Sequence, residues 1–158
     1  MKRVLVVCTG NICRSAMAEV VLNSEAERRG LRIEADSAGI SDEEEGNPID
    51  PRARRVLEEG GYTVSSHRAH QVRPGELATY DLVLAMTSYH QAALRRQAAR
   101  EGVDPDRIRL WREFDPDGRG GHDLDVPDPW YGSYRDFKDT LKVVEQCAPH
   151  ILEALAEE

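Results

Sequence analysis

The sequence predicts an α/β fold, a parallel sheet with helices on both faces, and three observations carry that prediction. Short β-rich runs alternate with amphipathic helical stretches along the whole chain, the pattern of βαβ units. The first run, Arg3–Val7, is apolar without polar alternation and so reads as a strand buried on both faces. It leads straight into a short loop holding Gly10 and Asn11, and then into a helix. In sheets of this kind ligands bind at the carboxyl ends of strands, at a topological switch point.

Each element has its own signal. A helix from about Ser15 to Arg29 places Met17, Val20, Val21 and Leu22 on an apolar stripe and stops at Gly30. Leu31–Ala38 reads as a second strand, followed by the exposed acidic loop Asp42–Gly46. Asp50 as cap and Pro51 in the first turn start another helix, which ends at Gly60-Gly61. Tyr80–Ala85 is a third strand, with a helix from Ser88 to Arg100 stopped near Gly102. Arg107–Trp111 is a short fourth strand, and Asp115–Asp128 is a long surface loop rich in Gly, Pro and Asp. A last helix spans Ser133 to Ala156, with Pro149 expected to kink or interrupt it. The expected architecture is a three-layer α-β-α sandwich on four parallel strands, with residues 1–158 forming one domain.

Bulk properties narrow the function. The 158 residues suffice for a sizeable core. The formal net charge of −8 argues against nucleic acid and anionic membrane as partners. No apolar run approaches a membrane span, and Val4–Val7 is too short for a secretory signal. Three cysteines without framework spacing point to a reducing, cytoplasmic setting.

The chemistry concentrates in Cys8-Thr9-Gly10-Asn11-Ile12-Cys13-Arg14-Ser15. A loop that wraps back into a helix start can aim several backbone N–H groups into one concavity, and the helix adds partial positive charge. Gly10 and Asn11 are residue types that tolerate positive φ. Arg14 offers a planar fork for two phosphate oxygens. Cys8 lies at the base of this field, which favours thiolate over thiol and makes it a nucleophile facing a bound phosphoryl group. The Ser15 hydroxyl is placed to donate to the Cys8 sulfur.

Expelling a phenolate, pKa near 10, calls for a positioned acid. Asp128 lies between Pro127 and Pro129 and is followed by Trp130 and Tyr131. The two rings suit one wall of a slot for a flat side chain, and an apolar surround would keep the aspartate protonated longer. The same residues read equally well as an Asp-Pro turn with aromatics covering the core.

Taken together the motifs resemble the low-molecular-weight protein tyrosine phosphatases. The carriers are Val7–Ser15, Asp36-Ser37-Ala38-Gly39, Asp50-Pro51-Arg52-Ala53, Ser66-His67-Arg68-Ala69 and Asp128-Pro129-Trp130-Tyr131-Gly132, in family order across nearly the whole chain. The resemblance implies a four-stranded parallel sheet and a two-step hydrolysis of phosphotyrosine or aryl phosphates that uses no metal and no cofactor. Cys8 would form a phosphocysteine. Asp128 would protonate the leaving oxygen and then activate water, with inorganic phosphate as product and inhibitor. The Arg14 side chain and the backbone amides of Thr9, Gly10, Asn11, Ile12, Cys13 and Arg14 would hold the phosphoryl oxygens. Asn11 would keep the loop in shape, Ser15 would assist the thiolate, and His67 would brace Asn11. Ile12, Trp130 and Tyr131 would line the slot. Cys13 would form a reversible disulfide with the nucleophile that protects it from further oxidation; a small loop-packing residue is the other reading.

The chain departs from the family pattern at three places. Glu43 stands where vertebrate members carry an aromatic, Ala16 where many carry proline, and Trp130 replaces the commoner tyrosine. The acidic loop Asp42–Glu45 is expected near the cleft mouth, where it would favour basic or neutral phosphopeptides. Arsenate reduction on the same scaffold would need two more cysteines beyond the third strand, and residues 79–100 hold none. Protein-arginine phosphatases on this scaffold carry threonine where Ile12 stands, and an apolar Ile12 favours a phenyl ring over a planar cation. A non-catalytic phosphopeptide-binding module would have no need of Cys8, Arg14 and Asp128 together. His67 and His70 lack a supporting ligand cluster for a metal. Cys147 is expected in the core, His90, His122 and His150 at the surface, and the Arg95, Arg96, Arg100 face in solvent.

Overall fold

The computed structural model describes residues 1–117 and 124–157; the middle of the Asp115–Asp128 loop, with His122, lies outside them. Four parallel strands, β1 (Lys2–Cys8), β2 (Ile33–Gly39), β3 (Leu82–Ala85) and β4 (Ile108–Leu110), form one sheet in the order β2-β1-β3-β4. The helices are α1 (Arg14–Arg28), α2 (Pro51–Glu59), α3 (Ser88–Glu101) and α4 (Tyr134–Ala156). The central strand has no polar face because both faces are covered. Val4 and Val6 join the core beneath α1 and α4, while Leu5 and Val7 join the second cluster with Leu94 and Ala98 of α3. Among the described residues no helix is long and apolar enough to cross a membrane.

The connection from β1 leads to β2 on one side, whereas β3 lies on the other, so the chain order switches direction at the carboxyl end of β1. That is where Cys8 ends the strand. Expected boundaries shift for local reasons. Leu31 and Arg32 precede β2, and Tyr80 and Asp81 precede β3, where the Asp81 side chain extends the β1–β3 pairing by accepting from the Arg3 N–H at 2.8 Å. The fourth strand is shortened because 3-10 turns occupy Pro105–Arg107 and Trp111–Phe114. Pro149 does not interrupt α4, which continues through it to Ala156. The carbonyl it deprives of a partner belongs to Glu145, on an exposed position. Asp50 caps α2 as expected, accepting from the Arg52 and Ala53 amides at 2.8 and 3.4 Å, with Pro51 at the first helical position. Cys147 is fully buried, and His150 is exposed, as are Arg95, Arg96 and Arg100.

Candidate active site

The loop between β1 and α1 is held by its carbonyl groups. The Cys8 carbonyl accepts from the Ile40 N–H (2.9 Å), Thr9 from Ser41 (3.1 Å), Ile12 from Asp50 (3.0 Å) and Cys13 from Met17 (2.9 Å). The Asn11 carbonyl takes the His67 Nε2, which must be the donor, at 2.6 Å. Across a trans peptide the following N–H points opposite to the carbonyl. Binding the carbonyls behind the loop therefore turns the amides of Thr9, Gly10, Ile12, Cys13 and Arg14 towards the concavity.

The loop conformation needs one left-handed residue, and it is Asn11 (φ 62°). Gly10 does not have positive φ, contrary to the expectation for it; its lack of a side chain instead admits Glu44, whose Cγ would lie 3.1 Å from an added Cβ. Asn11 is locked on both ends of its amide. Its Nδ2 donates to Ser15 Oγ at 2.9 Å and its Oδ1 accepts from the His70 N–H at 3.1 Å. Gly39 is a second backbone requirement, because a Cβ there would sit 2.5 Å from the Thr9 carbonyl.

Cys8 is buried, and its Sγ lies 3.0 Å from Ser15 Oγ. Arg14, also buried, sends Nη1 to the Val126 carbonyl (3.0 Å) and Nη2 to Asp128 (3.5 Å). This draws the distant Asp128 turn over the loop. The resulting cleft, about 200 Å³, is lined by Cys8, Thr9, Gly10, Ile12, Cys13, Arg14, Glu43, Glu44, Asp128, Trp130 and Tyr131. Cys8, Arg14 and Asp128 thus meet in one cleft with Ile12, Trp130 and Tyr131, and Glu43 and Glu44 of the acidic loop line it too. The apolar surround expected for Asp128 is absent. Its side chain is 42% exposed and faces a guanidinium, because the turn is tethered to Arg14 rather than packed into the core. Cys8 and Cys13 are both free thiols, and burial foremost, with the charges of Asp50, Cys8 and Asp128, pushes the Cys13 thiol strongly up.

Two residues behind the loop escaped the sequence reading. His90 is not a surface residue: it is 2% exposed and its Nε2 lies 2.8 Å from Thr9 Oγ1. Burial, then the Arg14 charge, pushes its pKa down to about 4. The available signal was the spacing His90, Leu94, Ala98, one stripe of α3, all buried. Glu19 accepts from Ser37 Oγ at 2.8 Å, and burial raises its pKa against the opposing effects of that bond and of His67 and His70. It lies one helical turn beyond Ser15. His67 and His70 have different partners: His67 takes the Asn11 carbonyl, and His70 pairs with Glu76 at 2.8 Å, which raises the His70 imidazole pKa.

Residues 3–158 match the family model described as low molecular weight phosphotyrosine protein phosphatase. A low molecular weight protein-tyrosine-phosphatase of Streptomyces coelicolor is 45% identical over 158 residues, 99% of this chain and 94% of the relative. The crystal structure of a low molecular weight protein tyrosine phosphatase from T. tengcongensis superposes with a TM-score of 0.85 at 36% identity, covering 98% of this chain and all of that one. YwlE of Bacillus subtilis, also solved as an arginine phosphatase, superposes with a TM-score of 0.85 at 31% identity over 99% of both chains. A parallel sheet whose first strand ends in a buried thiol beside a buried arginine, taken with these matches, places the chain among the cysteine-based phosphatases. Within that class, the chain belongs to the low molecular weight phosphotyrosine protein phosphatase family.

Proposed function

We propose that the protein hydrolyses phosphotyrosine in protein substrates, and simple aryl phosphates, through a phosphocysteine. The observation that carries this reading is the meeting of Cys8, Arg14 and Asp128 in one cleft with aromatic residues at its rim. The phosphoryl dianion is received by the loop amides and by the Arg14 fork. The Cys8 thiolate attacks phosphorus while the bond to the phenolic oxygen breaks, and Asp128 gives that oxygen its proton. Water then attacks the phosphocysteine, losing a proton to Asp128, and the thiolate leaves with inorganic phosphate released. Ser15 supports the sulfur in both steps. Ser15 Oγ accepts from Asn11 Nδ2, and its single hydrogen has two acceptors in reach, the Cys8 sulfur at 3.0 Å and the Ala38 carbonyl at 3.4 Å, the sulfur being the nearer. No step calls for a metal.

One comparison keeps a second substrate in play, since YwlE is an arginine phosphatase. Here Ile12 lines the cleft as an apolar contact with Trp130 and Tyr131 at the rim, which suits a phenyl ring better than a guanidinium. The test is turnover of free phosphotyrosine, phosphoserine and phosphoarginine, with EDTA present, by wild type, Cys8→Ser and Asp128→Ala. Phosphotyrosine preference is expected, lost in Cys8→Ser and reduced about 10²–10⁴-fold in Asp128→Ala. Preference for phosphoarginine would reverse the substrate assignment, and no turnover of any of the three would remove the enzyme reading.

A further inference from the structure

The Asp50-Pro51-Arg52 segment takes no part in the reaction as written, yet its arginine reaches the cleft rim. Asp50 holds the Arg52 guanidinium twice, Nε to Oδ1 at 3.2 Å and Nη2 to Oδ2 at 3.1 Å. The remaining nitrogen, Nη1, donates to the Trp130 carbonyl at 3.2 Å. The guanidinium carbon also lies 5.2 Å from the centre of the Trp130 ring and 4.5 Å from that of Phe137. Asp50 is 5% exposed, and its backbone N–H donates to Ile12. A continuous chain of bonds therefore runs from the phosphate-binding loop at Ile12, through Asp50 and Arg52, to a carbonyl two residues from Asp128.

At the working end of the turn Pro129 is buried, but the residues on either side of it are not. Asp128, Trp130 and Tyr131 are all exposed, and the Asp128 Oδ1 is spent on the Trp130 N–H at 3.0 Å. Its upstream limb is fixed by Arg14 on the Val126 carbonyl and by the Met86 carbonyl on the Val126 N–H. On the downstream limb, Arg52 supplies the bond that ties the turn to the phosphate-binding loop.

We propose that Arg52 is a positioning residue, a clamp that joins the Asp128 turn to the phosphate-binding loop and holds the Asp128 carboxyl within proton-transfer reach of the leaving oxygen. The clamp rests on the reading of Asp128 as the acid. It requires the planar fork of arginine, which grips a carboxylate bidentately and still reaches a carbonyl; a lysine ammonium cannot do both in this geometry.

The test is kcat/KM across aryl phosphates from phenyl to nitro-substituted phenyl, for wild type, Asp128→Ala, Arg52→Met and Arg52→Lys. A proton donor helps a poor leaving group most. Asp128→Ala is expected to steepen the leaving-group dependence, losing about 10²–10⁴-fold on phenyl phosphate and far less on the nitrophenyl ester. Arg52→Met is expected to steepen it in the same sense, by about 10–100-fold on phenyl phosphate, the scale set by a small misplacement of a catalytic group. Arg52→Lys should fall between wild type and Arg52→Met. The slope is a ratio within one preparation, so loss of some folded enzyme leaves it unchanged. An equal loss on every ester in Arg52→Met would overturn the clamp, leaving Arg52 as a structural or substrate-binding side chain. An unchanged slope in Asp128→Ala would instead overturn the acid itself.

Discussion

Replacing His90 by glutamine separates the burial of its imidazole against Thr9 from everything else that acid does to the protein. Burial and the Arg14 charge lower the His90 pKa from 6.5 to about 4. Between those values an unfolded chain holds a proton that the folded imidazole refuses. Stability from this group is therefore full above pH 6.5, falls as the pH drops towards 4, and changes no further below that. The displacement corresponds to roughly 3 kcal/mol. Other groups also respond to acid, notably Glu25 and Glu76, whose hydrogen-bonding partners hold their carboxyls below the usual range. They are common to both proteins and cancel in a difference. The assay is urea unfolding of wild type and His90→Gln from pH 7.5 to 4.5. The advantage of wild type over the variant should shrink by up to about 3 kcal/mol across that range. A difference that stays flat with pH would show that His90 titrates as an ordinary exposed histidine, and the closed packing of Thr9 against α3 would have to be abandoned.

Other substitutions address the loop and the mouth. Gly39→Ala puts a methyl group 2.5 Å from the Thr9 carbonyl, so it should cost about 1–3 kcal/mol of stability and lower kcat in the protein that still folds; full kcat would refute the need for close approach. Ser15→Ala removes the hydrogen bond to Cys8 and should lower kcat about 10–100-fold, the equivalent of one bond to a charged group, read by steady-state turnover of an aryl phosphate. Glu43 and Glu44 at the cleft mouth should give basic-flanked phosphotyrosine peptides a several-fold lower KM than acidic-flanked ones at low salt, with the preference fading as ionic strength rises and weakening in Glu43→Lys. Equal turnover of both peptides would sink that prediction.

What the chain revealed in one dimension was what depends on local patterning. The apolar run of β1, the Asp50-Pro51 helix start and the strand–loop–helix around Cys8 follow from neighbouring residues, and the structure has them. The misread residues are those whose environment comes from far along the chain. His90 looked like one more polar residue on a helix until β1 and its loop were packed against it. Asp128 looked set in apolar surroundings until Arg14 drew its turn into the open. Gly10 and Asn11 looked alike as tolerant residues, and only the hydrogen bonds of the Asn11 amide decide which takes the left-handed φ. There is a physical reason for this division. A loop that turns its N–H groups to one side must find donors for its carbonyls on the other, and the six residues Cys8–Cys13 cannot supply those donors themselves. Here they come from Ile40, Ser41, Asp50 and His67, with only Met17 nearby. The short motifs that seemed scattered, ending at Gly39, opening at Asp50 and centred on His67, are the segments that pass behind the loop. Their spacing is set by how long the chain takes to return there, which no local propensity encodes.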